Sequence, residues 1–324
     1  MNGINVPKLF IYIPTYNRPA AIRKQLSVLV PQINQFKENI RLIVSDNCSP
    51  NNINDALSNE FKSENISFVK NCDNIGANAN IALGFVFAKP DEFLWILSDH
   101  DIVKEDAVSL LLSNLSSELD FISLDPDTKE EKILSYDWNT DNWLDSIYHC
   151  ARISGCVYNM NTMTLNISAA FYFHNSSFPH IAVLLAAAKS KKILEFKKIS
   201  IDNFIIIDDD YDTTACKADF RLAILGAPLL TELMSPVMSK KFAWKWLKMY
   251  GMDIYMYRNC EYRFVFDDEI ALFKKFGCRF RALLLVQHVK SIIRDIVRKV
   301  YNGMYYKYCF LRPVLEKLRK VLFN

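Results

Sequence analysis

The sequence predicts an α/β protein with a mostly parallel sheet and helices on both faces of that sheet. Two observations support this prediction. Short β-rich runs alternate with helix-patterned segments over residues 1–125, the order expected for parallel strands joined by crossover helices. Turn-forming Pro, Asn and Gly residues follow the first three runs, so polar loops begin where these strands end.

Each predicted element has its own local pattern. The β-rich runs predict strands at 9–13, 40–45, 66–69, 93–97 and 121–124, and the segments between them predict helices at 20–36, 51–59, 77–88 and 104–112. Beyond Asp125 the order changes. There the patterns predict a loop and helix at 136–149, an apolar helix at 178–190, and strands at 153–158, 193–196 and 204–207.

The charge of the chain is divided between its two ends. Residues 274–324 contain 13 Lys or Arg against 2 acidic residues, a net charge of +11, whereas the other 26 basic and 34 acidic residues give 1–273 a net charge of −8. From about residue 239 the composition shifts to aromatic and basic helical patterns, so we place a domain boundary after residue 238. Residues 1–238 hold the α/β elements, in halves 1–125 and 126–238, and 239–324 form a basic, aromatic helical segment.

The remaining bulk properties favour the cytoplasm. No run approaches the roughly 18 apolar residues that a membrane-spanning helix needs, and the amino terminus lacks the basic-then-apolar pattern of a secretion signal. The 8 Cys form no Cys-x-x-Cys pair, so we expect reduced thiols rather than disulfides or a zinc site.

Two carboxylates close the fourth predicted strand. The apolar run 94–97 stops at Ser98, and Asp99 and Asp101 follow. Because strand side chains alternate with a period of two, both carboxylates lie near one face, at the carboxyl end where open α/β sheets bind ligands. Oxygen ligands suit Mg²⁺ or Mn²⁺, which in turn bind phosphates. The alternative is that Asp101 caps the helix near Lys104.

Polar residues on neighbouring loops lie at the same carboxyl edge of the predicted sheet. Pro14 and Pro19 restrict the loop between the first strand and its helix. Within this loop Tyr16 could stack on a base, and Arg18 could pair with phosphate oxygens. Asp46 ends the second strand, where it could accept a hydrogen bond from a base N–H or a ribose hydroxyl. For each residue alone, ordinary loop polarity or helix capping is the alternative.

Four segments in series resemble the nucleotide-sugar-binding half of family 2 glycosyltransferases with the GT-A fold. They are Ile13-Pro14-Thr15-Tyr16-Asn17-Arg18-Pro19, Val44-Ser45-Asp46-Asn47-Cys48-Ser49, Asn74-Ile75-Gly76 with Asn80, and Ser98-Asp99-His100-Asp101. The resemblance implies a nucleotide-diphosphate-sugar donor, a divalent cation (Mn²⁺ or Mg²⁺) and inversion at the anomeric carbon.

Residue by residue, the resemblance implies a set of donor-binding positions. These are Pro14, Thr15, Tyr16, Asn17, Arg18, Asp46, Asn74, Gly76, Asn80 and Asp99. It also implies that Asp99 and Asp101 are metal ligands, with Asp101 the more direct one and Asp99 nearer the ribose. The family more often has a run of Asp at this point, so His100 is a departure from its pattern.

The proton acceptor is the least defined part of the prediction. An inverting transfer needs a base for the proton of the acceptor hydroxyl. Related enzymes use the Asp of a Glu-Asp pair that opens a helix after a Gly-containing strand; 153–158 resembles that strand, but the helix opens with Phe178-Pro179-His180. His180 stands where that Asp would be, and imidazole, with a pKa of about 6.5, is a competent base. The rival carboxylates, which otherwise form a solvated turn, are Asp208, Asp209, Asp210 and Asp212.

The basic tail predicts a membrane contact. Residues 283–301 show an amphipathic helical pattern in which Lys290, Arg294 and Arg298 share a face away from the apolar stripe. Such a segment suits an anionic membrane surface, and we expect 274–324 to hold the protein on the inner face of the cell membrane. The alternative is that the apolar stripe packs on the catalytic domain or on a second subunit.

The sequence thus predicts a glycosyltransferase that moves a sugar from a nucleotide donor to a polysaccharide or a lipid-linked oligosaccharide. A nucleotidyltransferase would need a Gly-rich loop after the first strand, and residues 13–19 contain no Gly. A nucleic-acid-binding protein is the alternative that the basic tail suggests, but the charge of −8 over the rest argues against a nucleic-acid partner. A non-catalytic relative of the transferases is a further alternative, because the Glu-Asp pair is missing.

Overall fold

Most apolar runs of the sequence form strands. The computed structural model describes residues 7–51, 53, 57–141, 144–206, 227–242 and 245. Its strands are β1 (Lys8–Thr15), β2 (Ile40–Asp46), β3 (Ile66–Lys70), β4 (Glu92–Ile96), β5 (Ile102–Val103), β6 (Phe121–Asp125), β7 (Lys132–Asp137), β8 (Cys156–Asn159), β9 (Ile193–Ser200) and β10 (Ile205–Ile206). Its α-helices include α1 (Pro19–Gln35), α2 (Ala77–Phe87), α3 (Ala107–Asn114), α4 (Leu144–Cys150), α5 (Met160–Met163), α6 (Ser168–Tyr172) and α7 (Pro179–Lys191).

Eight of these strands form one sheet in the order β3-β2-β1-β4-β8-β6-β9-β7. The strands from β3 to β4 in this order pair in parallel, as do β6 and β9, whereas β8 is antiparallel to both of its neighbours and β7 is antiparallel to β9. β5 and β10 form a separate two-stranded antiparallel sheet. The predicted fold class, an α/β protein with a mostly parallel sheet covered by helices, is confirmed.

Alternation along β1 directs its side chains to two helical layers. Leu9 and Ile11 are buried in a cluster with apolar residues of α1 and α3. Tyr12 points to the opposite face, where its ring stacks on Phe87 of α2 with the centroids 6.1 Å apart. Gly84 makes room for this ring, because a Cβ at Gly84 would lie 2.8 Å from Tyr12 Cδ1. The central strand is therefore buried on both faces.

Three elements differ from their predictions. Of the predicted strand 153–158, only the part from Cys156 is a strand, and Ile153–Gly155 form a 3-10 helix. The predicted strand 204–207 forms β10, outside the main sheet. β7 is an edge strand that the sequence did not predict, and its pattern was weak because most of its side chains are exposed.

Several predictions concern residues outside those described. These are part of the helix 51–59, the carboxylates from Asp208 to Asp212, and nearly all of the segment 239–324. The domain boundary after residue 238 stays a prediction. Within the part of the chain that the structure describes, no helix combines the length and the apolar character needed to cross a membrane.

Candidate functional site

The carboxyl ends of β1, β2 and β4 meet at one edge of the sheet, here called the carboxyl edge. Thr15 of β1 lies opposite Asp46 of β2, and the Asn47 amide donates to the Thr15 carbonyl at 2.9 Å. On the other side of β1, the Leu97 amide donates to the Tyr12 carbonyl at 2.9 Å. The loops that follow these three strands therefore lie side by side, at the edge where parallel sheets bind ligands.

Asp99 is bound to the first of these loops. Its carboxylate, in a residue only 6% exposed, accepts a hydrogen bond from Thr15 Oγ1 at 2.8 Å and pairs with Arg18 Nη1 at 3.0 Å. Pro14 lies inside β1, opposite Ser45. The structure thus brings Thr15, Arg18 and Asp99 together as predicted, but Arg18 pairs with Asp99 rather than pointing away from the protein towards a ligand.

Asp101 lies in a turn that is held from two sides. Gln25 of α1 donates through Nε2 to the carbonyls of Ser98 and Asp101, at 3.0 and 2.7 Å, and Ser154 Oγ accepts from the Ser98 amide at 2.8 Å. α3 has Asp106 at its N-cap position, so Asp101 does not cap it. Neither Gln25 nor Ser154 was predicted as a site residue, since no local pattern in the sequence links them to this turn.

The carboxylate of Asp101 is left open by this arrangement. The residue is 7% exposed, and no hydrogen bond or ion pair reaches its carboxylate from the described residues. Withdrawing an unpaired carboxylate from water is costly, and a divalent cation would compensate that charge. The environment of Asp101 therefore fits the predicted metal.

Asp46 has one oxygen engaged and one open. Oδ1 accepts hydrogen bonds from the amide of Ser49, at 3.0 Å, and from its hydroxyl. The same hydroxyl accepts from the Asn17 amide at 2.7 Å, which holds Asn17 at a positive φ of 56°. Oδ2 is buried and has no hydrogen-bond partner among the described residues. Tyr16, beside Asn17, is exposed, so its ring is available to a ligand, whereas Asp46 Oδ2 is covered.

Asparagine amides fix the loop that precedes α2. Asn47 Nδ2 donates to Asn74 Oδ1 at 2.8 Å, and Asn47 Oδ1 accepts from Asn71 Nδ2 at 3.1 Å. Asn74 Oδ1 also accepts from the Gly76 amide at 3.0 Å. Gly76 has φ 84°, a conformation that favours Gly. The predicted Asn74 and Gly76 therefore belong to one network, together with Asn47 and Asn71, which were not predicted as site residues.

Asn80 joins this network to the sheet. Its Oδ1 accepts from Ser45 Oγ at 2.8 Å and from Asn71 Nδ2 at 3.2 Å, and its Nδ2 donates to the Ser45 carbonyl at 3.0 Å. Tyr12 donates its hydroxyl to the Asn80 carbonyl at 2.9 Å. Asn80 is buried, so it positions the loop rather than presenting an amide to a ligand.

His180 lies in the first turn of α7 and is fully buried. Its Nε2 is 3.1 Å from the Ala151 carbonyl, which can only accept, so Nε2 carries the proton and Nδ1 is bare. Nδ1 is buried without a hydrogen-bond partner among the described residues. Burial lowers the pKa of His180 to about 4, although the backbone at Ala151 and Cys150 acts in the opposite direction. The imidazole is thus neutral at physiological pH, but it does not reach the surface.

A second group at the carboxyl end of β6 could hold a metal ion. Asp125, Asp127 and His149 each offer one ligand atom, and these atoms lie within 4.8 Å of one another. Lys198 Nζ lies 2.5 Å from Asp125 Oδ2. Burial raises the pKa of Asp125, but Lys198 and the Asp127 amide outweigh it, so the pKa lies below its usual value. The signal was in the sequence, because Asp125-Pro126-Asp127 repeats the pattern of an apolar strand followed by Asp-x-Asp.

The fold and the carboxyl edge together define an α/β domain that presents carboxylates and polar loops to a ligand at its strand ends. The family model described as glycosyl transferase family 2 matches residues 10–178. The chain belongs to this family, and the resemblance found in the sequence is confirmed. Among curated proteins, no sequence matches the chain.

Three solved structures resemble this chain, and two of them have TM-scores above 0.5. The crystal structure of S. aureus TarS 1-349 has a TM-score of 0.58 at 13% identity and covers 85% of this chain and 83% of its own. The structure of the same TarS fragment in complex with UDP-GlcNAc has a TM-score of 0.53 at 13% identity, with coverages of 72% and 69%. The mannosyltransferase PcManGT from Pyrobaculum calidifontis, in complex with GDP-Man and Mn²⁺, has a TM-score of 0.49 at 10% identity, with coverages of 88% and 87%.

Proposed function

We propose that this chain transfers a sugar from a nucleoside-diphosphate donor to a polysaccharide or lipid-linked oligosaccharide acceptor, with a divalent cation and with inversion at the anomeric carbon. One observation carries the proposal. In a family 2 glycosyltransferase domain, the buried carboxylate of Asp101 has no partner among the described residues and lies next to Asp99 at the carboxyl edge. Such a group suits a cation that binds a diphosphate.

The loops around this carboxylate suit a nucleotide. The exposed ring of Tyr16 would stack on the base, and the unpaired, buried Oδ2 of Asp46 would accept a hydrogen bond from a base N–H once the loop that covers it moves aside. Arg18 would exchange its pairing with Asp99 for the donor phosphates, which would free Asp99 for the ribose. A related fold, S. aureus TarS 1-349, has been solved in complex with UDP-GlcNAc, which supports a donor of this class.

Mn²⁺ or Mg²⁺ would be held by Asp101, with Asp99 beside it. A cation bound there supplies charge that neutralises the departing diphosphate. The group at Asp125 is less suited to this task, because Lys198 already neutralises that carboxylate. We therefore assign the metal to Asp101 in preference to Asp125.

His180 remains our proposal for the general base, with the carboxylates 208–212 as the alternative. The neutral imidazole and its bare Nδ1 support the role, since a base must be unprotonated at the working pH. Its burial means that α7 must shift before Nδ1 can meet an acceptor hydroxyl. If His180 is the base, its replacement by Gln lowers turnover by about a hundredfold or more while donor affinity is kept. Normal turnover of this variant would show that His180 is not the base and would favour the carboxylates 208–212.

The segment 274–324 is proposed to hold the enzyme on the anionic inner face of the cell membrane, where a lipid-linked acceptor would be found. Its net charge of +11 supports the proposal. Deletion of this segment should weaken flotation with anionic liposomes at low salt. Unchanged flotation would show that residues 274–324 do not bind the membrane.

The function is tested most directly by a donor screen. The purified chain is titrated with nucleotide sugars, with and without Mn²⁺, and both binding and slow hydrolysis of the donor are measured. We expect one donor class to bind in a metal-dependent manner. If no activated sugar binds under either condition, the chain is a non-catalytic relative and the proposal fails.

A further inference from the structure

A helical run in the second half of the chain presents apolar side chains to solvent. α5, a 3-10 helix at Thr164–Asn166 and α6 follow one another, and Ile167 between them has helical dihedral angles of φ −57° and ψ −36°. Four exposed residues share one side of this run, spaced three or four apart, and we call them the docking face: Asn161, Leu165, Ser168 and Tyr172. Leu165 is 92% exposed and Tyr172 is 85% exposed.

The sequence around the docking face carries no formal charge. Residues 153–188 contain no Asp, Glu, Lys or Arg. Charged side chains oppose entry into a bilayer, so their absence removes the main penalty for contact with lipid. Leu suits the boundary between headgroups and acyl chains, and Tyr, with an apolar ring and a polar tip, suits the headgroup region.

A basic helix end lies next to this face. Ser190, in the last turn of α7, donates to Asn166 Oδ1 at 3.0 Å and so joins α7 to the helical run. Lys189 donates to a backbone carbonyl at 3.3 Å, and Lys192 lies 4.2 Å from the centroid of an indole ring. In the described parts of the chain, no carboxylate pairs with either ammonium group. Both charges are therefore available to anionic phosphates.

We infer that the docking face lies on an anionic bilayer, with Leu165 and Tyr172 inserted at the headgroup boundary and the basic end of α7 over lipid phosphates. This contact belongs to the catalytic part and is separate from the one proposed for 274–324. α6 contacts α2, which places the docking face on the side of the sheet that α2 covers. The inference rests on the proposed function only for the meaning of the contact, the approach to a lipid-linked acceptor. Lipid binding itself needs no turnover.

The test compares flotation of full-length variants with phosphatidylglycerol-containing vesicles. At about 0.5 M NaCl the screening length is about 4 Å, which weakens binding through the tail charges and through Lys189 and Lys192, so that the remaining binding measures apolar insertion. We expect the double variant Leu165→Glu, Tyr172→Glu to bind at least about tenfold more weakly than the natural chain. Because both side chains are exposed, the double variant should have the same melting temperature as the natural chain. Calorimetry would check this.

Ile133→Glu is the matched control. Ile133 is also a large exposed residue, at 68%, but it lies on the edge strand β7 directly after the charged residues 129–132. This variant should bind vesicles as the natural chain does, and the conservative Leu165→Phe should keep binding. No vesicle binding by the natural chain at this salt concentration, equal binding by the double variant, or an equal loss in Ile133→Glu would each overturn the inference. Because no sugar donor is present, none of these results bears on the transferase proposal.

Discussion

Replacing Asp101 by Asn tests whether its carboxylate binds a metal ion or stabilises the fold. The described residues provide no partner for this carboxylate, so the change removes charge without breaking a hydrogen bond. We expect Mn²⁺ affinity to fall by about a hundredfold or more, and turnover with the preferred donor to fall by about 10²–10³. The free energy of unfolding should stay level or rise, because a buried, unpaired charge has been neutralised.

For the Asp99→Asn variant we expect a loss of stability, in contrast to Asp101→Asn. Its carboxylate accepts from Thr15 and pairs with Arg18, which is one-third exposed and therefore partly screened. Asp99→Asn should cost about 2 kcal/mol of unfolding free energy, the usual size for hydrogen bonds to a charged group. For each variant, titration calorimetry would measure the Mn²⁺ affinity, initial rates the turnover, and urea denaturation the free energy of unfolding. Asp106→Asn, an exposed carboxylate on the same segment, should change none of them.

The reasoning is refuted if Asp101→Asn takes up Mn²⁺ and turns over like the natural chain. Loss of Mn²⁺ binding on replacement of Asp125, with Asp101 dispensable, would place the metal at β6 instead. A destabilised Asp101→Asn would show that a partner outside the described residues holds this carboxylate.

Three further variants test the packing behind the site. Asn80→Ala leaves groups of the sheet without their partner and should cost about 2 kcal/mol in urea denaturation, whereas Asn78→Ala on the same helix should be neutral. Gly84→Ala places a Cβ 2.8 Å from Tyr12 Cδ1 and should cost about 1–3 kcal/mol; an unchanged melting temperature would show that the ring moves freely. His180 has a pKa of about 4 when folded and about 6.5 when unfolded, so its stabilising contribution is complete above pH 6.5 and is lost as the pH falls towards 4. His180→Asn should lack about 3 kcal/mol of that pH dependence, and parallel pH profiles for the two proteins would contradict it.

The sequence predicted much of the first half of the fold well because β1, β2 and β4 are buried on both faces. Such strands appear as continuous apolar runs, and the turn residues that follow them mark the carboxyl edge. β7 was missed for the converse reason, since an exposed edge strand has no buried face to impose a pattern. The strand 153–158 was overextended because Ser154 serves the turn of Ser98 rather than the sheet, a use that no local pattern reveals.

The candidate site was predictable as a set of residues but not as a set of contacts. The spacing of Asp99 and Asp101 indicated a pair of similar carboxylates. Their different states depend on Thr15 and Arg18, which are more than 80 positions away in sequence. Long-range pairing of this kind follows only from the order of the strands, which alternating β and α patterns leave undetermined. The burial of His180 was hidden for the same reason.

One short segment connects the proposed base to the proposed metal ligand. The Ala151 carbonyl binds His180 Nε2, and Ser154, three residues later, accepts from the amide of Ser98. Gln25 of α1 holds the same turn from the other side. The turn of Asp99 and Asp101 and the first turn of α7 are therefore both tied to residues 151–154, one through the Ser154 hydroxyl and the other through the Ala151 carbonyl. If His180 is the base of an inverting transfer, it must lie on the opposite side of one sugar carbon from the leaving group, and a displacement of α7 that exposes His180 would also act on the turn of Asp99 and Asp101.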